Sequence, residues 1–424
     1  DGKESRKTAW MTVALLKYYE RNQQKSQTKF MKTGYSIRTW RMRLVCPEPI
    51  WLDRTEEYFQ NVVEFYYHLL RQHEELWNSS LFDIQRSLEL LTLSGRDGRQ
   101  PTNPLPMGKV PVYLRRAAIN KASATVKSTQ ELQSGFPEKL EAKVTFFKGM
   151  YSDLTDRSIC LKLWNGEKWI WTDCNLKGRP FPQDGQLMSP TLVKEGRRYL
   201  LNIPVKQENS DARTAKERMA EGTNLCSVRF TNTDTFAVCC ILDEQGNQLA
   251  VHTCRGGDAY RHRCKLLETR IQKSRPNTVG DNSPQPNRKY YMHLKNLSEH
   301  YAHQVSREIL NFCKENQAGI IVLPDYDQNF TRMAMVKSGN FSPLHLSSKI
   351  RTNLQYKAWA EGILVLETRT DGLKDKCAIC GGKVRRKGNE FLCENGHQGN
   401  RFLNDARNLG RKCQDSFFRG SRTK

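Results

Sequence analysis

Four residues near the end of the chain constrain its folding more than any others. Two residues separate Cys377 from Cys380, twelve separate Cys380 from Cys393, and three separate Cys393 from His397. Each pair fits one tight turn, and the two pairs together can close a tetrahedral site around Zn²⁺. Gly381-Gly382 and Gly396 supply the chain reversals such a site needs. A closed Cys₃His set leaves no open coordination position, so it positions the chain rather than doing chemistry. Arg385, Arg386 and Lys387, between the ligand pairs, are candidate phosphate contacts.

Charge narrows the partner. Lys and Arg number 68 against 45 Asp and Glu, a formal net charge of +23 over 424 residues. Such an excess points to a polyanion, because each neutralised phosphate releases a counterion. No apolar run approaches the roughly 20 residues of a membrane span. The Met11–Leu16 run is too short for a signal-peptide core, and the absence of Met at position 1 suggests missing upstream residues. Of thirteen cysteines, those outside the cluster are scattered without disulfide spacing, which fits a reducing cytosol.

Periodicity divides the chain. Residues 1–34 form a basic arm. Tyr35–Val45 alternates apolar with basic residues as a strand, with Arg38, Arg41 and Arg43 expected on one side. Helical spacing runs from Arg54 to Leu93, broken near Asn78-Ser79-Ser80, and again from Tyr113 to Ser128, where Arg115, Arg116, Lys121 and Lys127 stay available. Strands are expected at Val144–Phe147, Ser158–Trp164, Trp169–Thr172 and Arg198–Val205, as a small barrel or curved sheet that takes back the strand at 35–45. Trp164, Trp169 and Trp171 are expected in its core. Strands at 224–230, 236–243, 248–253, 319–323 and 362–367, with helices at 259–273, 289–316 and 346–360, read as an α/β domain interrupted by the zinc insertion.

Three stretches carry the functional signal: Leu225-Cys226-Ser227-Val228-Arg229-Phe230-Thr231, Ile320-Ile321-Val322-Leu323-Pro324-Asp325, and Asn400-Arg401-Phe402-Leu403-Asn404-Asp405-Ala406-Arg407-Asn408. With the zinc cluster before the third, the chain resembles TnpB nucleases and the compact type V CRISPR effectors. Arg115–Ala122 looks like the recognition-lobe helix of that family, and Phe146–Met150 and Ser189–Val193 like its wedge strands and loops. The resemblance implies an α+β multidomain fold. Its parts are a basic arm (1–34), the first strand of a wedge β-barrel (35–50), an inserted helical recognition lobe (51–135) and the wedge barrel (136–222). An RNase H-like RuvC domain follows (223–376), then a zinc-binding insertion (377–399) and the closing RuvC part (400–424).

In that family each of the three stretches, expected as strands, carries a catalytic acid. Here the positions fall on Arg229, Pro324 and Phe402. Two-metal hydrolysis needs clustered carboxylates to hold two cations roughly 4 Å apart. A guanidinium, an imide ring and a benzyl group cannot do this. The rival reading relocates the acids to Asp234, Asp325 and Asp405. A one-residue shift turns Asp325 to the other sheet face, and Asp405, three positions past Phe402 on a helical start, is expected to face elsewhere. The resemblance therefore implies no catalytic residue. It implies a nuclease-dead, RNA-guided protein that binds double-stranded DNA beside a short adjacent motif, for transcription repression, antiviral defence or marking of a locus. The partners implied are a guide RNA, target DNA, and either a homodimer or a recruited protein; the location implied is a prokaryotic cytoplasm, at the nucleoid. The nucleic-acid contacts expected are Arg38, Arg41, Arg43, Arg115, Arg116, Lys121, Lys127, Arg385, Arg386 and Lys387. An active endonuclease with relocated acids and a guide-free zinc protein remain as alternatives.

Overall fold

A computed structural model describes residues 34–419, except 96, 183, 275–286 and 327–341. The basic arm, apart from Gly34, lies outside the described residues. The chain forms two compact units, one of Ile37–Gln207 and one of Glu208–Lys424 with the residues up to Ser36.

The first unit begins with strand β1 (Tyr35–Val45) and three helices, α1 (Pro49–Gln72), α2 (Leu81–Thr92) and α3 (Val112–Glu131). Pro49 opens α1, where its missing N–H costs nothing. Leu52, Thr55, Phe59, Val62, Val63, Tyr66, Tyr67 and Leu70 then recur at helical spacing and are buried. Burial of each large side chain contributes about 2 kcal/mol. The Ser80 hydroxyl caps α2 by accepting from the Asp83 amide at 3.2 Å. Small buried residues on α3, Ala117, Ala118 and Ala122, let it lie close to α1.

Six strands follow: β2 (Tyr151–Ser152), β3 (Ser158–Trp164), β4 (Trp169–Lys177), β5 (Gln186–Leu187), β6 (Thr191–Glu195) and β7 (Arg198–Glu208). They join β1 in a curled, half-barrel sheet of order β2-β3-β4-β1-β7-β5, with β6 on β7. β1 is taken back between β4 and β7, with Leu44 opposite Leu176. The strand expected at Val144–Phe147 is reduced to a single bridge between Thr145 and Thr191. Trp164 and Trp169 cluster with Tyr58, but Trp171 is 47% exposed, not core. Alternation also corrects the grouping of the β1 arginines. Arg41 and Arg43 lie on the exposed row, whereas Arg38 falls on the row of Ser36, Met42 and Leu44, which are buried.

The second unit starts with α4 (Ala215–Ala220), closed by a Thr214–Glu217 capping box. Strands β8 (Leu225–Phe230), β9 (Thr235–Leu242) and β10 (Gln248–Arg255) are antiparallel neighbours. Helices α5 (Gly257–Lys273) and α6 (Arg288–Glu315) lead to β11 (Ile320–Asp325), then α7 (Ser347–Trp359) and β12 (Leu364–Arg369). β8, β11 and β12 are parallel, giving the order β10-β9-β8-β11-β12. The continuous apolar run Phe236–Leu242 is buried throughout because both sheet faces are covered. α5, α6 and α7 cover one face, over Cys226, Val228, Ile321 and Leu323. A hairpin sheet of β13 (Val384–Lys387), β14 (Glu390–Cys393) and β15 (Gln398–Asn400) precedes the last helix, α8 (Arg401–Arg419). α8 covers the other face, over Leu225, Cys240, Ile320 and Val322.

The third stretch, likened to a strand but with a helical start expected near Phe402, is helical from Arg401. The Asn400 side chain accepts from the amides of Phe402 and Leu403 and starts α8. The helix seats tightly because Gly410 has no side chain: a Cβ there would stand 2.5 Å from Leu242 Cδ1 and 3.0 Å from Leu225 Cδ1. Gly410→Val should therefore destabilise the chain by about 1–3 kcal/mol, despite the better helix propensity of valine. Urea denaturation reads this loss, and an unchanged midpoint would show that α8 is not so closely seated.

Candidate functional site

β8 and β11 run side by side, with Val322 opposite Ser227. Continuing that register by two residues sets Pro324 beside Arg229. Both fall on the face that α8 covers. Asp325, one residue on, falls on the opposite face. Its neighbours there are Glu367, whose carboxyl is pushed up first by burial, and Arg351. Arg351 Nη2 donates to the Pro324 carbonyl at 3.1 Å.

Arg229 meets an acid that the sequence reading turned away. Asp405 lies one turn into α8, its side chain only 3% exposed, and its Oδ2 accepts from Arg229 Nε at 3.2 Å. The expectation that Asp405 faces elsewhere is therefore wrong. Three positions past Phe402 on a helix is nearly one full turn, which brings the side chain back to the same side. Arg386 on β13 donates to the same carboxylate through Nη1 at 3.5 Å and through Nη2. Its Nε donates to the Lys374 carbonyl at 2.9 Å. Arg229 also donates to the Tyr326 hydroxyl, and its guanidinium stands 5.6 Å from that ring centroid.

The surroundings are positive. Burial and then Arg229 depress Lys374; burial and then Arg386 depress Arg401. The Arg401 guanidinium lies 4.6 Å from the centroid of the buried Phe402 ring. One carboxylate thus faces two guanidinia directly, with further cations behind. A divalent ion could ligate Asp405 only by displacing an arginine. Asp234 does other work, accepting from the Asp258 amide at the start of α5 at 3.1 Å. Among the described residues, neither of the two groups of potential metal ligands contains Asp234, Asp325 or Asp405.

The Cys₃His expectation is met. Ligand atoms of Cys377, Cys380, Cys393 and His397 lie within 4.8 Å of one another, forming a structural zinc-binding site. The local chemistry fits the ion. The Cys380 and Cys393 sulfurs are 3.4 Å apart. The amides of Ile379 and Asn395 each donate to a ligand sulfur at 3.4 Å, as tight metal-binding turns require. His397 Nδ1 is buried without a hydrogen-bond partner among the described residues. α8 grips this cluster from below. Asn404 accepts from the Ala378 amide at 2.8 Å and donates to the Lys376 carbonyl at 2.9 Å. Asn408 donates to the carbonyls of Leu373 and Lys376.

The expected nucleic-acid contacts separate by exposure. Arg43, Lys121, Arg385 and Lys387 are exposed. Arg116 is 44% exposed and 3.5 Å from Glu89, and Arg41 is paired with Glu195. Arg115 is not available: its side chain is 8% exposed and binds Glu89 at 3.0 Å and the Val110 carbonyl. Lys127 donates to the Ser79 carbonyl at 2.9 Å. Arg386 turns inward to Asp405, as alternation along β13 demands between outward Arg385 and Lys387. Arg218 escaped the sequence reading. Fully buried, it donates to the carbonyls of Gly319, Gly362 and Asp211, tying the start of the unit to the loops before β11 and β12.

Comparison with known proteins bears on the fold. A family model described as the Aq_aa04 family matches residues 36–165. No curated protein matches the sequence. Among solved structures, a Cas12f1–sgRNA–target DNA complex aligns over 85% of this chain and 81% of that one, with 12% identity and a TM-score of 0.51. The mini-RNA-guided endonuclease CRISPR-Cas_phi3 aligns over 92% and 96%, at 10% identity and a TM-score of 0.49. Alicyclobacillus acidoterrestris C2c1 with single-guide RNA aligns over 85% and 70%, at 9% and 0.47. At these identities the likeness to Cas12f1 is one of fold. No helix among the described residues is long and apolar enough to cross a membrane.

Two outcomes follow from this geometry. Arg229→Ala leaves a buried carboxylate short of one partner and should cost about 3 kcal/mol, whereas Arg43→Ala, at the surface, should cost under about 0.5 kcal/mol. Equal losses in chemical denaturation would contradict the pairing. Cys393→Ser should remove zinc and loosen the Lys376–Ala378 segment held by Asn404 and Asn408. Zinc content and amide exchange at Ala378 measure this; retained zinc would refute the ligand assignment.

Proposed function

We propose that this chain is an RNA-guided protein that binds double-stranded DNA without cutting it, silencing or marking the locus it holds. The observation that supports this most is the Asp405 carboxylate clasped between Arg229 and Arg386. At the position where a RuvC nuclease needs an acid, this chain has a fixed cation, and the nearest carboxylate is already neutralised. The sheet order β10-β9-β8-β11-β12 with helices on both faces supports an RNase H-like reading of residues 223–376 and 400–424. The curled sheet and its helices support a wedge (35–50, 136–222) and a recognition lobe (51–135), with 377–399 as the zinc insertion and 1–34 as a basic arm.

On this reading base pairing with the guide selects the target, and the protein reads a short adjacent motif and the backbone of the heteroduplex. Arg43, Arg116, Lys121, Arg385 and Lys387 are the proposed phosphate contacts, because their charges reach solvent. Arg41 joins them if its pair with Glu195 opens. Arg115 and Arg386 leave that role for internal ion pairs. Removing any one proposed contact should weaken binding alike on all sequences and lower the salt slope by about 1.

The second reading, an endonuclease with relocated acids, draws on Asp405 lying beside Arg229. It needs two metals held by a carboxylate that two arginines already occupy, and Asp325 falls on the opposite face of the sheet. The deciding experiment is to purify the chain with its RNA, sequence that RNA, and offer a matching duplex with Mg²⁺ or Mn²⁺. Guide-dependent binding with both strands intact is expected. Cleavage would overturn the proposal, and guide-independent binding would favour a zinc protein that uses no RNA.

A further inference from the structure

A second group of ligand-type side chains lies in the same unit, remote in sequence from the Cys₃His cluster. His252 and Cys254 are on β10, and Glu308 is on α6. Their ligand atoms all lie within 4.8 Å of one another. His252 Nε2 and Glu308 Oε1 are 2.6 Å apart. The His252 ring is held by Phe312, one helical turn beyond Glu308, at a centroid distance of 5.2 Å. Cys239 sits directly opposite His252 on β9, fully buried.

Local geometry explains the convergence. His252 and Cys254 are two apart on a strand, so both point to the same face. That face is the one α6 covers, and Glu308 projects from α6 onto it. The burial is graded. Cys254 and Cys239 are 0% exposed, while the His252 and Glu308 side chains are 34% and 33% exposed. A sulfur floor under a nitrogen and oxygen mouth gives an ion a path from solvent to a dry site.

We propose that His252, Cys254 and Glu308, with solvent as the fourth donor, bind a second transition-metal ion of the zinc class. The donor set decides the metal. Thiolate and imidazole favour Zn²⁺ or a similar borderline ion and disfavour Mg²⁺ and Ca²⁺, which take oxygen. On binding, the ion replaces the His252–Glu308 hydrogen bond and expels the Cys254 thiol proton to solvent; no oxidation is involved. The consequence is mechanical. β10 is the edge strand of the five-stranded sheet, and an ion shared with α6 would pin that edge to the helix across it. The site is independent of guide binding and of the state of the Arg229 cleft, so its fate and that of the proposed function are separable.

The test is zinc stoichiometry. The full chain, equilibrated with zinc and freed of excess, should carry two equivalents by mass spectrometry. His252→Ala and Cys254→Ser should each carry one, and Cys380→Ser should lose the other. One equivalent in the wild-type chain overturns the proposal, as do two equivalents in both His252 and Cys254 variants. Cobalt titration of the unaltered chain gives a reading that no misfolded variant can confuse. A second equivalent should add tetrahedral d–d absorption, with weaker sulfur charge transfer than the first because fewer thiolates bind. Absorption that stops growing after one equivalent, or an octahedral spectrum for the second, contradicts the site.

Discussion

One buried carboxylate organises the region where three parts of the second unit meet. Asp405 belongs to α8, Arg229 to the central strand β8, and Arg386 to the zinc-bearing hairpin. Each guanidinium is a planar fork that can donate twice, which is why arginine serves here and a compact ammonium would not. Burying three charges is costly, and the cost is offset only while each is paired and hydrogen-bonded. The Tyr326 hydroxyl and the Lys374 carbonyl each take a further donor. Losing either arginine leaves the carboxylate with one partner where it had two, whereas losing Asp405 would leave two neighbouring guanidinia uncompensated.

The zinc cluster and this ion network reinforce one another. Zinc bound there would fix the turns at Cys377–Cys380 and Cys393–His397, between which β13 carries Arg386. From the other side, Asn404 and Asn408, one residue before Asp405 and three after it, clamp Lys376–Ala378 onto α8. A zinc ion held in the Cys₃His site would thus shape the electrostatics around Asp405. The same arrangement gives the proposed function its physical content: a cleft with excess positive charge suits phosphate better than divalent cations.

Much of the architecture was legible in sequence because it rests on local period. The alternation of strands and helices from 224 to 367, the buried run Phe236–Leu242 and the zinc ligands all follow from spacing. What stayed hidden is non-local. Arg229 and Asp405 are 176 residues apart, and no periodicity announces that they meet. Arg386 was misjudged because the short strands of a zinc hairpin carry no hydrophobic pattern to show which face turns inward. The Arg38 error was avoidable: period two alone separates 38 from 41 and 43. Gly410 matters through close approach to Leu242 and Leu225, which a sequence does not display, and Arg218 is buried by carbonyls that only the fold brings together.

The central claim is that a guanidinium stands where a RuvC nuclease would hold its metals. Anomalous diffraction from crystals of the guide- and target-bound chain, soaked in Mn²⁺, tests it most directly. The account predicts no manganese peak between Arg229, Pro324, Phe402 and Asp405, with the Arg229–Asp405 pair intact. Two ordered manganese ions there, roughly 4 Å apart and ligated by Asp405 with its arginines swung away, would contradict it.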